Sequence, residues 1–439
     1  MNKFLFIVLS FFILSSQVFA TQISKYIKET GFSNETQVAV YIANLETKDI
    51  LYKKNANKPL NPASGLKLLT LGTAYTVLGK NYNFETSLYE DEQNNIYLKL
   101  GGDVLLSQSD LEKLISNLKN KKIKNIYIDD SIFDKTPYPN TWLKEDEWPN
   151  YGMVTPYIID SNLIQISINR SSLSKKVDVI SNSEYKIPII NELEIGEKNN
   201  FQILRLYGED SSIINLKGEI SQDEQLNLFV LKPELNFNIK LNSALEKNGI
   251  IHNEKAEVKI VPSNAKKIAS IERPIRDIAR LVLHNSCNIE SEVIFKVAAS
   301  KYYDKTASLD DAIKMFMEFH GNKFGKNEKI VDASGVSREN KISLKTLNAI
   351  LFDLYKKTDL ITLLPTADEG TLSERLVFLK GNLKAKTGTL KKYSSLNGVL
   401  TTRNNNKVIF SIAVQNSDKR KSLLKNFENT LVGIIYKNY

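Results

Sequence analysis

The rhythm of apolar and polar residues changes several times along the chain, and each change predicts a different element. An apolar run interrupted only by Ser10, "FLFIVLSFFIL", occupies positions 4–14. In "QVAVYIANLETKDILYKK" the two classes alternate around a turn-like "NLETKD", which predicts a β-hairpin. Leu66, Leu69, Leu71, Ala74, Tyr75 and Leu78 then recur at helical spacing, with Gly79 placed to close the helix. From about residue 85 to 262, short strand patterns such as "NIYLKL", "NLIQISI", "FQILRLY" and "SIINLKGEI" alternate with polar turns, and "SDLEKLISNLKN" is the one clear helix. Helical periodicity returns from "RPIRDIARLVLHNSCNIESEVIFKVAA" to about residue 357. Two strands, "SLNGVLTT" and "KVIFSIAVQ", follow. A final amphipathic helix carries Leu423, Leu424, Phe427, Leu431 and Ile434 on one face, suited to packing on the preceding hairpin or to lying on a membrane surface.

The first apolar run has a second meaning. Lys3 precedes it, and Val18 and Ala20 supply the small residues before a cleavage site, so residues 1–20 have the layout of a secretory leader, with the mature chain starting near Thr21. No later stretch approaches the ~20 apolar residues that span a bilayer. An exported, soluble protein is expected, placed in the periplasm by the resemblance given below, with a loose membrane association left open. The chain of 439 residues favours two or three domains. One cysteine, Cys287, cannot form an internal disulfide or a multi-thiolate metal site, and His252, His284 and His320 fit no metal-binding spacing. No metal or cofactor is expected. The net charge of +9 comes from scattered lysines, which favours an anionic cell-surface polymer over nucleic acid.

The candidate chemistry starts in "NPASGLKLLT". Ser64 and Lys67, three apart, share a helix face, and the serine falls at the helix start, where free N–H groups favour developing negative charge. A lysine desolvated among Leu66, Leu68 and Leu69 can accept the serine proton. A helix cap and a solvated lysine explain this stretch better when it stands alone. Two further elements change that balance. "NSCN" supplies Ser286 and Asn288, and "AKTGT" supplies Lys386, Thr387, Gly388 and Thr389 beside a strand. A cation, a hydroxyl and a glycine on a strand edge suit an extended substrate with a free carboxylate. The order SxxK, SxN, KTG is that of penicillin-recognising serine enzymes.

Taken with "LGGDVLL", "YGMVTPYIIDSNLIQI", "DASGVSREN" and "EGTLSERL", these motifs make the chain resemble the D-alanyl-D-alanine carboxypeptidase/endopeptidases of the penicillin-binding protein 4 type over essentially its whole mature length. The resemblance implies a multidomain α+β protein. A transpeptidase-like (β-lactamase-like) domain at 21–84 and 263–439, an antiparallel sheet flanked by helices, would be interrupted by a β-rich domain at 85–173 and 242–262, with another nested in it at 174–241. It also implies roles. Ser64 would be the nucleophile, Lys67 its base and Ser286 a proton relay, while Asn288, Lys386, Thr387, Gly388 and Thr389 hold the substrate. The expected substrates are peptidoglycan stem peptides, with β-lactams as covalent inhibitors; homo-oligomerisation is left open. A β-lactamase and a catalytically silent peptidoglycan-binding scaffold are the competing readings. Three departures stand out: Cys287 replaces the family's Asp in SDN, Ala333 replaces a Gly in DGSG, and Val104 replaces a Pro. The loop carrying Asp332, Ser334 and Ser337 is expected to be a structural turn, and His284 a helix-face residue.

Overall fold

The structure is a computed structural model, and residues 18–144, 151–171, 176–207, 212–251 and 255–439 are described. Residues 1–17 of the expected leader, and His252, lie outside the described residues. The chain divides into two compact units: residues through Tyr82, Ile275–Tyr302 and Leu309–Tyr439 form one, and Asn83–Pro274 with Tyr303–Ser308 form the other.

The first unit begins with helix α1 (residues 18–29), which runs through the expected cleavage point. Its Phe19, Ile23 and Ile27 are buried in the core. The predicted hairpin follows as β1 (Gln37–Asn44) and β2 (Ile50–Lys54). Its turn is held by the Asn44 side-chain carbonyl, which accepts from the N–H groups of Glu46 and Thr47. A 3₁₀ turn (Ala63–Leu66) leads into α2 (Lys67–Leu78), closed by Gly79 at φ 84°. The spacing predicts a one-faced helix, but every residue from Lys67 to Tyr75 is buried. A helix covered all round is a core helix, and this burial is what desolvates its lysine.

The second unit contains β3 (Asn83–Glu90), β4 (Ile96–Leu100), α3 (Gln108–Ile115), β5 (Ile126–Asp129), β6 (Leu163–Arg170), β7 (Val177–Ser181), β8 (Ile189–Ile195), β9 (Asn200–Tyr207), β10 (Ser212–Ile220), β11 (Glu224–Phe229), α4 (Pro233–Lys247), β12 (Glu257–Val258) and β13 (Lys266–Pro274). Its sheets run β12-β5-β4-β3-β13, β11-β6-β7 and β8-β10-β9. Helix α4 is absent from the sequence reading because "LNFNIKLN" alternates apolar and polar residues as a strand does. Pro233 starts the helix, and Phe237, Leu241, Ala244 and Leu245 are buried at helical spacing.

The chain returns to the first unit with α5 (Ile275–Asn285), whose leading N–H donates to the Tyr82 carbonyl at 2.9 Å. Then come α6 (Asn288–Tyr303), α7 (Leu309–His320), α8 (Leu344–Lys357), β14 (Leu383–Leu390), β15 (Tyr393–Thr401), β16 (Lys407–Gln415) and α9 (Lys421–Asn438). The antiparallel sheet has the order β14-β15-β16-β1-β2, so the hairpin from the start of the chain pairs with the last strand. The KTG residues lie within β14 itself, a third strand whose alternation stops at Lys386-Thr387-Gly388-Thr389, a run with no apolar residue. On α9, Leu424, Phe427, Leu431, Val432 and Ile435 are buried in the core shared with α1, while Leu423 is 51% exposed. The apolar face of α9 is therefore occupied within this unit. No helix among the described residues is long and apolar enough to cross a membrane.

Candidate active site

Ser64 sits in the 3₁₀ turn ahead of α2 and makes no capping hydrogen bond. Lys67 is the first residue of α2 and is fully buried. Its Nζ lies 3.1 Å from Ser64 Oγ, 2.7 Å from Asn288 Oδ1 and 2.7 Å from the Ser334 carbonyl oxygen. Burial lowers the Lys67 amine to about 8, against the opposing pull of the Asp332 and Glu292 carboxylates. The two short contacts are to groups that only accept, so a neutral amine gives them its two N–H bonds. Its lone pair is left toward the Ser64 hydroxyl.

Ser286 and Cys287 form the break between α5 and α6. Ser286 has φ 60°, a left-handed conformation that costs a non-glycine residue on the order of 1 kcal/mol or more. Asn288 opens α6. Lys386, also fully buried, donates from Nζ to Ser286 Oγ at 2.9 Å and to the Thr387 carbonyl at 2.9 Å. Burial first, and the charge of Lys67 second, hold the Lys386 amine well below its ordinary value. Strand β14 is the sheet's edge. The Ala385 N–H points outward to the Pro365 carbonyl, so strand alternation turns the N–H groups of Thr387 and Thr389 to the same edge. Gly388 is required by proximity: a Cβ there would lie 2.4 Å from Ser395 Oγ and 3.0 Å from the Pro62 carbonyl. The bare backbone lets the strand lie against the turn that carries Ser64. All three motifs are thus joined in one place.

Sequence reasoning missed several neighbours. Asp332 accepts from the N–H groups of Gly335 and Ser337 at 2.9 and 2.7 Å and from Asn340 Nδ2 at 2.8 Å, so the loop is a turn, and its Ser334 carbonyl is an acceptor for Lys67. Gly335 has φ 81°, and a Cβ there would fall 1.9 Å from the Ala63 carbonyl. Ala333, by contrast, does not have a positive φ, so the position tolerates a side chain. The sequence signal was available in the turn-forming "DASG", whose carbonyls spacing alone cannot aim. Asn397 lies opposite Lys386 on β15, buried, with neither end of its amide hydrogen-bonded. His284 is lowered by burial and lies 4.0 Å from Glu369. Burial pushes the Cys287 thiol up to about 12. Among the described residues no cluster of His, Cys, Asp or Glu is placed to hold a metal.

With this geometry in view, residues 19–437 match the D-Ala-D-Ala carboxypeptidase 3 (S13) family. The chain belongs to that family. It is 24% identical to the D-alanyl-D-alanine carboxypeptidase DacB of Haemophilus influenzae, over 92% of this chain and 91% of that one. It is also 24% identical to a D-alanyl-D-alanine carboxypeptidase of an Actinomadura species, over 82% of this chain and 74% of that one. The crystal structure of penicillin binding protein 4 from Haemophilus influenzae superposes with a TM-score of 0.82 at 22% identity, covering 94% of this chain and 99% of that one. That likeness shows the S13 peptidase to have the multidomain α+β fold that the motifs implied.

Proposed function

We propose that this S13 peptidase hydrolyses the D-Ala-D-Ala bond of peptidoglycan stem peptides, and DD-cross-links, through an acyl-enzyme on Ser64. The observation that carries the reading is Lys67 Nζ, held by two fixed acceptors with its third direction toward Ser64 Oγ. Lys67 takes the Ser64 proton as Oγ attacks the carbonyl carbon. The N–H groups of Ser64 and Thr389 receive the developing oxyanion, a contribution of about 3–4 kcal/mol per donor in such sites. The C–N bond then breaks, and Ser286 passes a proton to the leaving amine while Lys386 restores the proton to Ser286. Asn288 orients both Lys67 and the substrate amide. Lys386 and Thr387 take the terminal carboxylate, and the arriving negative charge raises the Lys386 amine back toward its protonated state. Water cleaves the acyl-enzyme. A β-lactam follows the same first step and is released slowly.

The reading includes export through the leader and action on the cell wall. One experiment tests it: labelled penicillin and a stem pentapeptide are given to the protein and to Ser64→Ala. A lasting label and D-Ala release, both lost in the variant, support it. Rapid penicillin turnover would make the protein a β-lactamase, and neither signal would leave a scaffold.

A further inference from the structure

Both fixed acceptors of Lys67 trace back to one face of one helix. Asn288 and Glu292 are four residues apart on α6 and so lie one turn above the other. Asn288 reaches Lys67 directly, at 2.7 Å. Glu292 reaches it through the turn that follows Val331. Its Oε1 accepts from the Ala333 and Ser334 N–H groups at 3.0 and 2.8 Å, and its Oε2 from the Ala333 N–H at 3.0 Å. Ser334 is thus clamped at its own N–H, the Gly335 N–H that follows is held by Asp332 at 2.9 Å, and between the two the Ser334 carbonyl faces Lys67 Nζ at 2.7 Å. Glu292 is 1% exposed and Ser334 is fully buried, so water cannot replace the clamp.

We propose that Glu292 is a positioning residue for acyl transfer: it aims the Ser334 carbonyl at Lys67 and thereby fixes which way the lysine lone pair points. This rests on the DD-peptidase reading. A buried glutamate kept for packing alone has no need to hold the N–H of the residue whose carbonyl takes the lysine's second hydrogen. The clamp also has a charge. Lys67 is faced by Asp332 of the turn, by Glu292, Glu290 and Cys287 of α6 and its approach, and by Lys386 of β14. Removing the Glu292 carboxylate removes one of the groups that favour the ammonium form.

The test is the second-order rate of acylation by a labelled penicillin, measured from pH 5.5 to 10 on the wild type, Glu292→Gln and Glu292→Asp. In Glu292→Gln the amide nitrogen opposes an N–H group, and the plateau rate falls roughly 10- to 100-fold. The same variant moves the acidic limb to lower pH. In Glu292→Asp the charge remains but the reach shortens, so the plateau falls while the limb stays in place. A folded Glu292→Gln with the wild-type plateau and limb overturns the proposal. Should that variant not fold, a Glu292→Asp plateau within about two-fold of wild type overturns it instead. Wild type that takes no label sinks the DD-peptidase reading itself.

Discussion

Lys386 Nζ and Ser286 Oγ, one hundred positions apart in sequence, meet at 2.9 Å, and Ser286 holds a left-handed backbone to make the contact. Replacing the serine with alanine keeps the same backbone demand and removes only the hydroxyl. Ser286→Ala is therefore expected to keep its melting temperature within a few degrees and to lose about 10²–10⁴-fold in D-Ala release. Thermal unfolding and a D-Ala assay check it together; an unchanged rate would remove Ser286 from the proton path.

Acylation requires a neutral Lys67, whose amine is lowered by burial to about 8. The rate should rise with pH and level off above that value. Stability follows the same sign: between about 8 and 10.5 the unfolded chain binds a proton at Lys67 that the folded chain does not, so this residue makes stability increase with pH across that window. The Cys287 thiol acts oppositely above its ordinary value of 9.0, so the comparison must be internal. Melting temperatures measured from pH 7.5 to 10 should rise less in Lys67→Met than in wild type.

Gly335 is tied to the nucleophile by the space its side chain would fill. Gly335→Ala puts a methyl against the Ala63 carbonyl in a backbone conformation that already disfavours it. A loss of about 2–4 kcal/mol in urea unfolding is expected, with slower acylation because Ser64 follows Ala63. Ala333→Gly, one turn of the loop away and not at a positive φ, should cost less than about 1 kcal/mol.

Arg375 of the "EGTLSERL" motif pairs with Glu428 of α9 at 2.8 Å, with both side chains nearly covered, and Ser394 of β15 donates to the same carboxylate. Glu428→Ala would leave the covered guanidinium without its carboxylate, held only by the neutral Asn429 Oδ1 and Lys425 carbonyl oxygens. The expected cost is about 3–5 kcal/mol, read from denaturant unfolding, with Arg375→Ala comparable and the double variant less than additive.

Burial holds the Cys287 thiol in its protonated form. Alkylation by iodoacetamide at pH 8 should be slow in the native protein and fast in urea. Fast native labelling would show that the thiol is open to reagents beside Ser286.

These sites were legible in the sequence to different depths. Ser64, Lys67, Ser286, Asn288 and Lys386 could be named because each brings a chemical group at a fixed local spacing. Ser334 and Glu292 could not, since one contributes a backbone carbonyl and the other acts on backbone N–H groups. Neither leaves a trace in residue type. The same limit applied to structure. The hairpin of β1 and β2 showed its alternation, whereas α4 wore a strand's pattern and β14 lost its own where Thr387, Gly388 and Thr389 follow Lys386. Leu423 was expected on the buried face of α9 and is half exposed, because the core is met one position farther along, at Leu424.

The hydrogen bond between Ile275 N–H and the Tyr82 carbonyl has a consequence for the history open to such a chain. Everything from Asn83 to Pro274 departs from and returns to neighbouring peptide groups. To the sheet and helices that carry Ser64 and Lys386, that long excursion is equivalent to a tight turn. Its length adds little to the entropy of closing the loop, which grows only with the logarithm of residue number. Material at this junction can be lengthened, shortened or exchanged without asking the serine and its two lysines to move.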